Sequence, residues 1–76
     1  MSKLPVVSAK KLEKILLKLG FKIVRQKGSH LFYKHGDGRY TSIPHQPGED
    51  ISRPLLRAIL REIELDMDVY TRLLNE

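Results

Sequence analysis

The chain has 76 residues, 14 Lys and Arg against 9 Asp and Glu, a net charge of +5, and no cysteine. A length this short implies one small domain, residues 1–76, that buries only about 60% of its unfolded surface. A disulfide framework and a thiolate metal site are excluded, and no apolar run approaches the roughly 20 residues of a membrane-spanning helix.

Charge is unevenly spread. Residues 1–38 hold nine basic residues and only Glu13 and Asp37 as acids, whereas residues 39–76 hold five basic and seven acidic ones. A strongly cationic half suits a polyanion such as nucleic acid. A solubilising face and a site for an acidic protein partner are the other readings that charge alone leaves open. No signal-peptide core precedes residue 14, so the expected compartment is the cytoplasm.

"SAKKLEKILLKLG" predicts a first helix, with Ser8 as N-cap and Gly20 just past its end. Leu12, Ile15, Leu16 and Leu19 recur on one face, and Lys10, Lys11, Lys14 and Lys18 cover the other. "FKIVRQ" alternates Phe21, Ile23 and Arg25 against Lys22, Val24 and Gln26, the pattern of a half-buried strand. "KGS" interrupts it, "HLFYKH" makes a second strand, "HGDGR" a turn and "RYTSI" a third strand. After the loop "PHQPGED", "SRPLLRAILREIEL" predicts a second helix, with Ser52 as cap and Pro54 in the first turn. "DMDVYTRLLNE" predicts a short last helix capped by Asp66, with Val69, Tyr70, Leu73 and Leu74 inward.

The expected fold is therefore α+β, with a three-stranded antiparallel sheet, helices packed on one face and the other face open. The pleat of "HLFYKH" then separates its side chains. Leu31 and Tyr33 go against the helices with Phe21 and Ile43, and His30, Phe32 and Lys34 go to the open face. The opposite register would bury His30 and Lys34, which need polar partners there.

All three histidines lie between residues 25 and 50. Histidine both takes and gives a proton near neutral pH. RNA supplies its own nucleophile, the ribose 2′-OH, so a histidine beside a bound phosphodiester could catalyse cleavage without a metal or other cofactor. "KGSH" suits that role, although a Gly-Ser-His is more often a turn leading into a strand. Gly28 lets a substrate approach and permits a bulge that re-aims the next side chain. Ser29 can donate a hydrogen bond, and Arg25, Lys27 and Lys34 are candidate phosphate contacts. His35 is expected to be a turn residue, and His45 lies in a loop where it either lines a site or is solvated. The three do not form a zinc-binding pattern. Phe32 and Tyr40 could stack bases or pack across strands, and Tyr33 fits core packing better.

In order and spacing, "LKLGF", "RQKGSH", "IPHQPGEDI" and "LLRAILREI" resemble the HicA toxins, also called YcfA-like proteins. The resemblance covers roughly residues 8 to 74. It implies a fold like that of double-stranded-RNA-binding domains and a ribosome-independent mRNA endoribonuclease. It also implies that His30, after the Gly-Ser pair, is the catalytic histidine. The implied partners are mRNA and a HicB antitoxin, the chain being a monomer alone and part of a hetero-oligomer with the antitoxin. Two positions depart from the family pattern. Gln46 occupies a slot often held by histidine, with His45 displaced by one, so no role passes to His45. Glu64 stands where a glycine commonly follows the second helix. The competing reading is a non-catalytic duplex-RNA-binding module, and the second helix argues against it because its two early arginines are followed by acids.

Overall fold

The computed structural model describes residues 4–76, so residues 1–3 of the expected domain lie outside the described residues. The elements are α1 (Ala9–Lys18), β1 (Lys22–Lys27), β2 (His30–Lys34), β3 (Tyr40–Pro44), α2 (Arg53–Glu62) and α3 (Met67–Leu74). The strands form one antiparallel sheet in the order β1-β2-β3.

Helix α1 forms where its caps and apolar stripe agree. Ser8 Oγ accepts the Lys11 N–H at 3.2 Å, which satisfies one of the free donors of the first turn. Leu12, Ile15 and Leu16 are buried. At the far end the Phe21 N–H reaches Leu16 O at 3.0 Å and the Gly20 N–H reaches Leu17 O at 3.1 Å. This is a Schellman ending, and Gly20 takes the left-handed conformation it needs, at φ +98. Phe21 is thereby delivered into the core.

Helix α2 ends the same way, with the Leu65 N–H on Leu60 O and the Glu64 N–H on Arg61 O. Here the left-handed position is filled by Glu64, at φ +56. The substitution of Glu for the usual glycine thus keeps the turn and strains it. Asp66 stands at the N-cap of α3, as expected, without a side-chain capping hydrogen bond. Tyr70 is fully buried and donates its hydroxyl proton to Pro5 O at 2.6 Å, tying α3 to the segment before α1.

The core lies between the helices and one face of the sheet. Tyr33 and Ile43 meet Phe21, Leu56, Ile59 and Ile63 there, with Leu31 packed at the margin. The one buried polar side chain among the described residues, Thr41, donates to Glu62 Oε1 at 2.6 Å. The expected register of β2 holds: Tyr33 is buried, and His30 and Lys34 are exposed.

Strand β1 departs from expectation. All six residues are exposed, including Ile23 and Val24. It is an edge strand, and the buried side chains of the helices meet β2 and β3 rather than β1. The alternation is also broken. Ile23 pairs with Tyr33 but Arg25 pairs with Phe32, so Val24 is an extra residue in a bulge. Lysines and a bulge on an edge strand also discourage pairing with another chain.

Candidate active site and nucleic-acid face

The bulge decides which side chains share a face. Strict alternation would put Ile23, Arg25 and Lys27 together. With Val24 extruded, Arg25 lies opposite Phe32 and Lys27 opposite His30, and Lys22 lies opposite Lys34. Paired residues point to the same side of a sheet. The open face therefore carries Lys22, Arg25 and Lys27 from β1, His30, Phe32 and Lys34 from β2, and Tyr40, Ser42 and Pro44 from β3. No carboxylate occupies these positions. None of the four Lys and Arg side chains forms an ion pair among the described residues.

The Gly28–Ser29 turn sets the geometry at His30. Two residues separate the paired Lys27 and His30, and Gly28 has φ +59 at the first turn position. That is the arrangement of a type II′ hairpin, which tolerates glycine there and little else. The sequence permits either a bulge or a turn at Gly28. The bulge lies at Val24, and Gly28 makes the turn. An added Cβ at Gly28 would meet nothing within 4 Å, so access there is open. Ser29 O accepts the His45 N–H at 2.7 Å, closing the turn against the end of β3. Lys27 and His30 are placed about 5 Å apart at their Cα atoms. The three expected phosphate contacts, Arg25, Lys27 and Lys34, thus share the face of His30, and Gly28 and Ser29 form the turn beside it. Its exposed imidazole has no hydrogen-bond partner among the described residues.

The other two histidines lie elsewhere and are occupied. His35 Nε2 lies 3.1 Å from Leu19 O, and its Nδ1 accepts the Asp37 N–H at 3.1 Å. Its ring meets the Phe21 ring edge-on at 5.1 Å. More than a turn residue, it fastens the end of β2 to the carbonyl end of α1. The Arg39 backbone N–H and guanidinium hold the Asp37 carboxyl below its ordinary pKa.

His45 belongs to a group that the sequence did not assemble. Tyr33 donates its hydroxyl proton to Glu13 Oε2 at 2.5 Å, and His45 Nε2 lies 2.8 Å from the same hydroxyl oxygen. With its proton given to Glu13, the hydroxyl oxygen can only accept, so His45 donates from Nε2. Burial, and then the bond to Glu13, push the Tyr33 hydroxyl well above the ordinary tyrosine pKa. Helix α1, β2 and the loop after β3 meet here, on the helix side of the sheet and opposite to His30. The one hint in the chain is Glu13 itself, the single acid among the lysines of α1. His45 also lines an open cleft of about 540 Å³ with Lys10, Gln46 and Asp50.

Among the described residues no three His, Asp or Glu side chains are grouped to share a metal ion, and no helix is long and apolar enough to cross a membrane. The search of curated proteins returned no match. The family described as "HicA toxin of bacterial toxin-antitoxin" matches residues 9–65, which include α1, the sheet and α2. The chain belongs to the HicA toxin family, whose members are toxins of toxin–antitoxin systems.

Proposed function

We propose that this toxin is a metal-independent endoribonuclease that cuts mRNA without the ribosome, with His30 as its acid–base group. The observation that carries the reading is the register of β1. By extruding Val24 it gathers Arg25 and Lys27 around His30 on a face without carboxylates. A histidine in a cationic, solvent-open setting can meet a phosphodiester directly.

His30 takes the proton of a ribose 2′-OH. The 2′-oxygen attacks the adjacent phosphorus, and the bond from phosphorus to the 5′-oxygen breaks. The products are a 2′,3′-cyclic phosphate and a 5′-OH, whose proton comes from protonated His30 or from water. Lys27 and Arg25 stabilise the charge that gathers on the phosphoryl oxygens. Gly28 and Ser29 keep the turn low enough for the strand to approach. His45 stays outside this chemistry because its Nε2 is held on the other side of the sheet. The duplex-binding alternative relies on free basic residues where α2 begins, but Arg53 donates its Nε–H to Leu4 O at 2.9 Å. A HicB-type antitoxin would neutralise the toxin in the cytoplasm by covering the cationic face.

The test is incubation of purified protein with ribosome-free mRNA in the presence of a chelator. Cleavage is expected, with cyclic phosphate ends. His30→Ala should lower the rate about 10²–10⁴-fold and leave circular dichroism and antitoxin binding unchanged. Full cleavage by that variant would sink the assignment.

A further inference from the structure

Three flat groups cross the open face in a column. Arg25 Cζ lies 5.7 Å from the centre of the Phe32 ring. Phe32 and Tyr40 have centroids 6.0 Å apart and planes 23° from parallel. Because β2 runs between β1 and β3, Arg25 and Tyr40 flank Phe32 from opposite sides. Both sides of Phe32 are thus taken. Tyr40 ends the column, 46% exposed, on an edge strand that pairs only with β2 among the described residues.

An uncovered aromatic ring at the end of a nearly parallel column can take one more flat ring. The charges beside it favour a ring attached to phosphate. Lys34 is the cross-strand partner of Tyr40, and Lys22 is the partner of Lys34. We propose that Tyr40 seats an unpaired nucleobase of the RNA, with Lys34 and Lys22 on its phosphates.

This rests on the RNA reading above and adds a subsite to it. Tyr40 lies four residues along β3 from Pro44, the partner of His30, or about 13 Å. The seated base therefore belongs to a nucleotide away from the scissile bond, and the contact acts on binding rather than on the chemical step. It also selects single strands, because bases in a duplex already stack on one another. Stacking is indifferent to base identity, so the subsite confers strandedness more than sequence.

Cross-strand packing alone would also put Phe32 beside Tyr40, so the test must see the base. The probe is a short single-stranded RNA carrying 2-aminopurine, bound to the non-cleaving His30→Ala protein. Quenching of its fluorescence is expected on binding. Adding Tyr40→Leu should remove the quench and weaken binding about tenfold, whereas Tyr40→Phe should preserve both. In the cleaving protein, Tyr40→Leu should raise KM and leave kcat unchanged. An RNA abasic at the seated position should bind the wild-type and Tyr40→Leu proteins equally. RNA binding without quench, or equal affinity after Tyr40→Leu, overturns the subsite and leaves the nuclease reading standing. Loss of antitoxin binding with unchanged RNA affinity would assign Tyr40 to the protein partner and overturn it too. Absence of RNA cleavage by the wild-type protein would overturn the nuclease reading, and absence of RNA binding as well would overturn both.

Discussion

Lys27 faces His30 across the last rung of the β1–β2 hairpin, with only Gly28 and Ser29 between them. The pairing puts an ammonium beside an imidazole that has no hydrogen-bond partner among the described residues. If both meet the same phosphate, Lys27→Ala should weaken RNA binding and lower the slope of log affinity against log salt by about 0.7. Stability should stay within about 0.5 kcal/mol, because the residue is exposed. An unchanged salt slope would remove Lys27 from the phosphate contacts.

The Tyr33–Glu13 bond joins β2 to α1 inside the molecule. Tyr33→Phe removes the shared hydroxyl and leaves Glu13 and His45 with each other, 3.7 Å apart. The expected loss is about 1–3 kcal/mol in chemical denaturation. A double-mutant cycle with Glu13→Gln should return a coupling of about 0.5–3 kcal/mol. RNA cleavage by folded Tyr33→Phe protein should be unchanged, since the group lies behind the sheet. A fall in kcat would bring the Tyr33 group into the reaction.

Glu64 holds a backbone conformation that costs an L-residue roughly 1–2 kcal/mol. Glycine removes that strain and returns part of the gain through greater freedom of the unfolded chain, roughly 0.4–1 kcal/mol. Glu64→Gly should therefore stabilise the fold by about 0.5–1 kcal/mol. For a domain of this size that raises Tm by roughly 2–8 °C. A lower Tm would mean that the Glu64 side chain contributes more than its backbone costs.

Alkaline pH should unfold the protein through its buried tyrosines. Burial pushes Tyr70 from 10.0 up to about 12, and Tyr33 is raised as well. A raised folded pKa means the neutral phenol is favoured in the native state. The associated stability is complete below pH 10 and is lost as pH rises towards 12. Far-ultraviolet circular dichroism and phenolate absorbance should change together across that window. Ionisation of all three tyrosines before any loss of ellipticity would contradict the burial of Tyr33 and Tyr70.

Much of this fold follows from local rules. Ser8 and Gly20 mark the ends of α1 because a cap and a left-handed residue are needed there whatever packs around the helix. The period of Leu12, Ile15 and Leu16, and of Leu56, Ile59 and Ile63, selects the faces that are buried. In β2 the sequence alone separates His30 from Tyr33, since the pleat forces neighbours apart and only one of the two faces can be desolvated cheaply.

The face of β1 was beyond that reach. Ile23, Val24 and Arg25 alternate acceptably on paper, and nothing local says that Val24 will be extruded. The bulge exists only relative to the partner strand, where Ile23 meets Tyr33 and Arg25 meets Phe32. Tertiary pairing thus decided that Arg25 and Lys27 join His30. The same holds for Glu13, Tyr33 and His45, which come from three elements and meet through side-chain hydrogen bonds that no spacing encodes. Residue types and periods determine which side chains are available and which helix and strand faces are buried. Only the packed sheet decides which distant groups share a surface, because that depends on register between strands rather than on order along the chain.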